Sequence, residues 1–402
     1  MIPKIDSDIG ISVYTTKYPG CGGRIRACHD DFRVFEVLSQ KTLDSISQEG
    51  FAIYKLKKSG IDTNHALEII FKKFGVRLKA LGLKDSSAVT EQFVCSLGQN
   101  KSIPNYTDGK ISLEKIGFLK KPLSAKDMIG NQFVIKVTDP KQSFSDFAEH
   151  DRIFNFYGYQ RFGSKRPVTH LIGKALVQRR FGDAITLLLS FTSEHDSEEN
   201  TKVRKFMSDE SHYSEALGMI SHKMDLERIA LQEMLENKNP QKAFQKLPLS
   251  IRRLFVDAYQ SFIFNLTLGR AFEYGEELFR PQDGDICYDK NAILGKYGIE
   301  QNQQLAIPMV GHSYFKKTRF DTHISKILQD EQVNPKDFFF KEMQEISAEG
   351  GFRTASILCT NFSIEKNTVS FTLQRGSFAT MVMREIIKPD DPPSSQAFKR
   401  FC

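Results

Sequence analysis

Gly82-Leu83-Lys84-Asp85-Ser86-Ser87-Ala88-Val89-Thr90-Glu91-Gln92 places one acid beside a lysine, directly after an alternating apolar run at Val76, Leu78 and Ala80. The alternation predicts a strand over 76–83 that ends in a polar turn, and a second strand over 92–97. An acid at a strand end, with a basic neighbour and hydroxyls after it, is placed to stay ionised and to face a cleft. The same residues also fit a plainer role, with Asp85 tying down its own Asp-Ser-Ser turn and Lys84 solvated.

Outward from this stretch, the chain reads as mixed, then helical, then mixed. Short strands are expected over 24–28, 32–38 and 132–137, and a helix over 62–75. Asp62 or Thr63 can cap that helix, Leu67, Ile70, Phe71 and Phe74 share one face, and Gly75 stops it. A polar loop follows over 98–109. Helical periodicity dominates from about 160 to 350, with candidates at 171–181, 184–191 and 256–274. The charged run 194–210 reads as a surface loop or an exposed helix start. After 350, strands over 356–366 and 368–373 form a hairpin about Lys366-Asn367, and a helix over 378–387 takes Ser377 as its N-cap. The class is α+β, one domain interrupted by another.

At 402 residues the chain can bury two cores. Its 40% hydrophobic and 26% charged residues are an ordinary globular balance. A net charge of +7 permits a polyanionic partner without requiring one. The six cysteines form no Cys-x-x-Cys pair and read as reduced, mostly buried thiols. Cys21, Cys28 and His29 lack further ligands at finger spacing, so no metal is expected. No run approaches the ~18 apolar residues of a membrane span, and the first residues lack a signal-peptide core; a cytoplasmic protein with no membrane partner is expected. There is no Gly-x-x-x-x-Gly-Lys-Ser/Thr loop, no His-Glu-x-x-His and no Gly-x-Ser-x-Gly elbow. The nine histidines show no ligand or triad spacing.

The opening stretch resembles the signature of the TruD family of pseudouridine synthases, Gly-x-Lys-Asp-x-x-Ala-x-Thr-x-Gln, matched at Gly82, Lys84, Asp85, Ala88, Thr90 and Gln92. Four further segments resemble the family in its own order: Asp31-Phe32-Arg33-Val34-Phe35-Glu36, Gly130-Asn131-Gln132-Phe133, the run from Asn155 to Gly163, and Gly376-Ser377-Phe378-Ala379-Thr380 with Arg384-Glu385. The likeness runs from about residue 10 to 388. The opening Gly10-Ile11-Ser12-Val13-Tyr14 and Pro19-Gly20-Cys21-Gly22-Gly23-Arg24-Ile25 look more like the archaeal and eukaryotic branch, whose members act on more than one RNA class.

The resemblance implies a catalytic domain built on a central antiparallel sheet, in two parts (1–159 and 351–402), with a helix-rich domain inserted over 160–350. It implies isomerisation of uridine 13 of transfer RNA, without cofactor; the reading carries a monomer. Pseudouridine formation breaks the bond between uracil N1 and ribose C1′ and rejoins the base through C5. The uridine must leave its stack, and one carboxylate must lie close to C1′, as nucleophile or as base for an elimination. Asp85 matches the family's catalytic aspartate. Phe32 and Phe378 match positions that pack around the flipped nucleotide, where a stacked aromatic is worth ~1–3 kcal/mol. With 33 Phe and no Trp in the chain, only motif context separates these two from core phenylalanines.

Asn131, beside Phe133, offers a donor and an acceptor for the uracil edge or for orienting Asp85. Arg26 stands six residues before Phe32, where bacterial members carry lysine, which keeps the charge and changes the shape. Lys84, Lys57-Lys58, Lys120-Lys121, Arg161 and Ser164-Lys165-Arg166 add charge for an RNA backbone. Two other classes stay open: a non-catalytic RNA-binding or RNA-chaperone protein on the same scaffold, and a glycosidase-like hydrolase pairing Asp85 with Glu36 or Glu91.

Overall fold

Residues 16–153 and 357–388 build one unit, here the sheet unit; residues 2–15 and 154–356 build the other, the helical unit. The structure is a computed structural model that describes residues 2–84, 86–163, 166–194, 196–221, 224–298, 302–314 and 317–388.

The sheet unit holds β1 (Phe32–Leu38), β2 (Phe51–Lys58), β3 (Leu78–Ala80), β4 (Val89–Ser96), β5 (Tyr106–Thr107), β6 (Ile111–Leu119), β7 (Met128–Lys136), β8 (Thr360–Glu365) and β9 (Thr368–Gln374). Their order is β8-β9-β7-β1-β4-β2-β6-β5, with β3 also on β4. Only β1 and β4 pair in parallel among the described strands. Alternation sends Ala52, Tyr54 and Leu56 of β2 and Val94 of β4 to one face, where they meet Ala66 and Ile70 of the helix Thr63–Phe74. That helix begins where Asp62 accepts the His65 N–H at 3.1 Å and stops at Gly75, φ 69°. Phe71 falls outside the buried stripe and lies under the Arg77 guanidinium.

The helix Ala379–Ile387 is buried at every residue. Its Glu385 accepts from the Thr16 N–H and hydroxyl, both at 3.1 Å, and from Arg384 at 3.3 Å. Lys388 donates to the Thr16 and Tyr18 carbonyls. Buried charges are thereby paired, as burial demands, and both segments of the sheet unit are tied together.

Several local expectations change. The strand over 76–83 shrinks to Leu78–Ala80, because side chains rather than a neighbouring strand take the backbone groups at Gly82 and Lys84. The stretch 24–28 is no strand: only Arg24 bridges to Thr138, and Arg26 turns the chain at φ 61°. Ser377 does not cap the final helix; Phe378 holds the cap position, while the Ser377 N–H closes a turn onto the Gln374 carbonyl. The charged run 194–210 contains the helix Glu198–Phe206, whose Arg204 is buried between Asp196 at 2.9 Å and Glu227 at 2.8 Å.

In the helical unit the long helix is Leu249–Glu273. Its buried Asn265 accepts the Tyr157 N–H at 2.8 Å and donates to the Ile9 and Tyr157 carbonyls. The Tyr159 hydroxyl reaches Asp6 at 2.6 Å. Residues 2–15 and the Asn155–Gly163 segment are therefore anchored to one helix. Arg166 lies inward, donating to the Leu188 carbonyl at 3.0 Å, so it adds nothing to an RNA-facing surface; Ser164 and Lys165 lie outside the described residues. A small sheet of Leu294–Lys296, Ile286–Tyr288, Gln304–Met309 and Gly351–Thr354, in that order, completes the unit.

Candidate active site

Gln92 on β4 is fully buried and works in two directions. Its Nε2 donates to the Gly82 carbonyl at 3.1 Å, and its Oε1 accepts from the Thr63 hydroxyl at 2.8 Å. Thr63, the first residue of its helix, accepts the Lys84 N–H at 2.9 Å and donates its own N–H to the Lys84 carbonyl at 3.2 Å. The ammonium of Lys58, at the end of β2, reaches the Lys84 carbonyl at 3.0 Å and the Ile61 carbonyl at 2.8 Å. The backbone that leads into position 85 is thus held by three side chains from two strands and a helix. Asp85 itself lies outside the described residues.

Lys84 is committed inward. Its ammonium lies 2.7 Å from Glu36 of β1, whose side chain is fully buried. The other Glu36 oxygen accepts the Phe93 N–H at 2.9 Å. A methyl group at position 82 would sit 3.3 Å from that ammonium, so Gly82 leaves the Lys84 side chain room at its pair with Glu36. Lys84 is therefore half of a buried ion pair rather than loose surface charge. Such a pair holds geometry more than it adds stability, since desolvation offsets most of the attraction.

Glu36 stands opposite Asn131 in the β1–β7 register, and Asn131 stands opposite Leu373 in the β7–β9 register. Opposed residues share a face of the sheet. Asn131 is half-buried, and its side-chain oxygen is buried with no partner among the described residues. Gly130 lets β7 approach β9 closely, since a Cβ there would meet the Leu373 carbonyl oxygen at 2.0 Å.

The aromatic residues continue this face. Asp31 accepts the Cys28 N–H at 3.1 Å and closes the turn that delivers Phe32 to the start of β1. Phe32 meets Phe133 edge-on with centroids 6.2 Å apart, and Phe133 meets Phe371 at 5.6 Å. The Arg26 guanidinium lies 4.2 Å over the Phe32 ring, a cation–π contact rather than an exposed charge. Phe32 and Phe133 are 3% and 7% exposed. Phe378 is half-buried, in the turn after Gln374, which pairs with Gly130.

Arg26, Phe32, Phe133 and Asn131 are thus carried by β1, β7 and the segment that leads to β1, and Lys84 by the segment between β3 and β4. Thr63 and Phe371 join them without having been singled out for the site, while Gln92 was read only as a motif position, Lys58 only as charge for an RNA backbone and Glu36 only as a partner carboxylate for Asp85. Strand alternation was the available signal: Lys58 continues Ala52, Tyr54 and Leu56 on the buried face, and Glu36 continues Phe32 and Val34. Lys57, one residue off that period, is exposed, as are Lys120 and Lys121. The described cysteines Cys21, Cys95, Cys287 and Cys359 are buried and free, and Cys28 is exposed and free. No helix among the described residues is long and apolar enough to cross a membrane.

The profile of the family described as tRNA pseudouridine synthase D (TruD) matches residues 8–386. The chain is similar to a probable tRNA pseudouridine synthase D of Pyrobaculum islandicum, 29% identical over 97% of this chain and 98% of that one. Its likeness to the protein of the same name from Archaeoglobus fulgidus is also 29%, over 96% and 100% of the two chains. A crystal structure bearing the tRNA pseudouridine synthase D (TruD) name, from Methanosarcina mazei, superposes with a TM-score of 0.78 at 27% identity, covering 97% of this chain and 99% of that one. The α+β architecture with its antiparallel-rich sheet is that of a pseudouridine synthase, an isomerase. Within that class, the chain belongs to the TruD family of tRNA pseudouridine synthases.

Proposed function

We propose that this protein isomerises uridine to pseudouridine at position 13 of tRNA, with Asp85 as the catalytic residue and no cofactor. The observation that carries the reading is the threefold grip of Gln92, Thr63 and Lys58 on Gly82 and Lys84, which fixes the backbone as far as the residue before Asp85. Catalysis by one carboxylate rewards such fixation, because positioning supplies much of the barrier reduction. In the reaction the N1–C1′ bond breaks, a C5–C1′ bond forms, the C5 proton is lost and N1 gains one, so atoms balance without a co-reactant. The carboxylate acts on the ribose, as nucleophile at C1′ or as base for an elimination. Asn131 offers its buried side-chain oxygen to the polar edge of an extruded uracil. Phe378, half-buried in the turn after β9, offers an aromatic face on which the base can stack.

The test is incubation of purified protein with unmodified tRNA, followed by site mapping of pseudouridine, with Asp85→Asn in parallel. The expected result is product at position 13 with wild type only, and RNA affinity within about threefold in the variant, since Asp85 adds no favourable charge toward phosphate. Product from Asp85→Asn at the wild-type rate removes Asp85 from the mechanism. Product at another position or in another RNA class overturns the U13 assignment. Tight binding with no product on any RNA favours the non-catalytic RNA-binding reading.

A further inference from the structure

We infer that Lys58 is a positioning residue for Asp85: its buried ammonium grips the peptide link on which Asp85 is carried. The inference rests on the reaction proposed above. Lys58 is 1% exposed, at the last position of β2, and its Nζ lies 3.0 Å from the carbonyl oxygen of Lys84 and 2.8 Å from that of Ile61. The Lys84 carbonyl belongs to the amide that joins Lys84 to Asp85. One cationic nitrogen therefore links the turn that starts the helix Thr63–Phe74 to the peptide bond of the reacting residue.

A full-length lysine is an expensive choice for such a tie. Lysine is almost never completely buried unless it is paired, and the Ile61 and Lys84 carbonyls are among the groups that offset the cost of removing this ammonium from water. The helix start is already joined to residue 84 without it, through Thr63, and Gln92 fixes Gly82 from β4. Lys58 adds what those groups do not: a charge-assisted donor on the carbonyl side of residue 84, anchored on a central strand. A group holding the backbone next to a catalytic carboxylate acts through the rate of the bound complex and leaves RNA contacts alone. Its neighbour Lys57 is exposed and alternates to the other face.

The experiment measures three quantities on full-length protein with unmodified tRNA: the single-turnover rate at saturating enzyme, the RNA dissociation constant and the thermal unfolding midpoint. Lys58→Met and the shorter, polar Lys58→Gln are compared with wild type and with Lys41→Met, a change at an exposed lysine with no part in the site. The expected result is a single-turnover rate lower by about 100-fold in either Lys58 variant, the scale of a misplacement near 1 Å. The dissociation constant should stay within about threefold, because no phosphate contact is lost. Lys41→Met keeps the wild-type rate at saturation. A folded Lys58 variant with the wild-type rate overturns the inference, as does a loss confined to the dissociation constant. Failure of both variants to fold assigns Lys58 to stability alone and also overturns it. A folded wild type that makes no pseudouridine is a different failure: it overturns the proposed reaction.

Discussion

The side chain that best explains the Gly-x-Lys-Asp string is Glu36, which lies forty-odd residues away from it in sequence and 2.7 Å from the Lys84 ammonium in the fold. Removing one member of a buried pair leaves the other charged and unmatched, which costs about 3–5 kcal/mol. Lys84→Met should lower stability by that amount in urea unfolding, and the double variant Glu36→Gln/Lys84→Met should recover most of it. A double variant no more stable than the single one would show that the pair's geometry, not its charge balance, is being measured. Local motif spacing singled out Phe32, Asn131 and Phe133, which the strand register carries on one face of the sheet. It hid the partners of Lys58 and Glu36, because strand register sets them. Lys57 and Lys58 are indistinguishable as letters, and only the two-residue period of β2 sends one to solvent and the other to the Lys84 carbonyl.

Among elements, the helix Thr63–Phe74 was largely readable: Asp62, one of two cap candidates, and the Gly75 stop are local signals, whereas of the expected Leu67, Ile70, Phe71 and Phe74 face only Ile70 is fully buried, beside Ala66, and Phe71 is exposed. Asp62→Ala should cost about 1 kcal/mol, the usual price of a lost N-cap, read as a lower unfolding midpoint of the sheet unit. Because Thr63 begins this helix and holds residue 84, the same change should also slow pseudouridine formation more than it weakens RNA binding. An unchanged rate would separate helix capping from the site. The strand predicted over 76–83 was misread for a matching reason. Its alternating apolar residues are genuine, but Gly82 and Lys84 bond to side chains from Gln92 and Thr63, and a ladder cannot form where its donors and acceptors are already used.

For the molecule as a whole, the alternation of mixed, helical and mixed texture conveyed that strands and helices segregate, whereas the placement of residues 2–15 with the helical unit rests on Asn265 and Tyr159, tertiary bonds with no local signature. That unit also carries an acid-sensitive element. His170 stacks on Phe262 with centroids 4.9 Å apart and meets Phe162 at 5.3 Å, and burial pushes its pKa down to about 4. The unfolded chain binds a proton near pH 6.5 and the folded one near pH 4, so the stabilisation is complete above 6.5 and declines as pH falls between these values, by about 3 kcal/mol in all. His170→Phe should flatten that part of the stability–pH curve, and an unaltered curve would place the acid sensitivity elsewhere. The sheet has a further consequence for synthesis. The strand β9 that covers β7 follows the entire helical unit along the chain, so a ribosome making ~5–20 residues per second leaves one side of β7 without its partner for roughly ten seconds or longer. A nascent chain in that interval exposes an unsatisfied strand edge, and holdase chaperones should crosslink to it there and release it once β9 emerges.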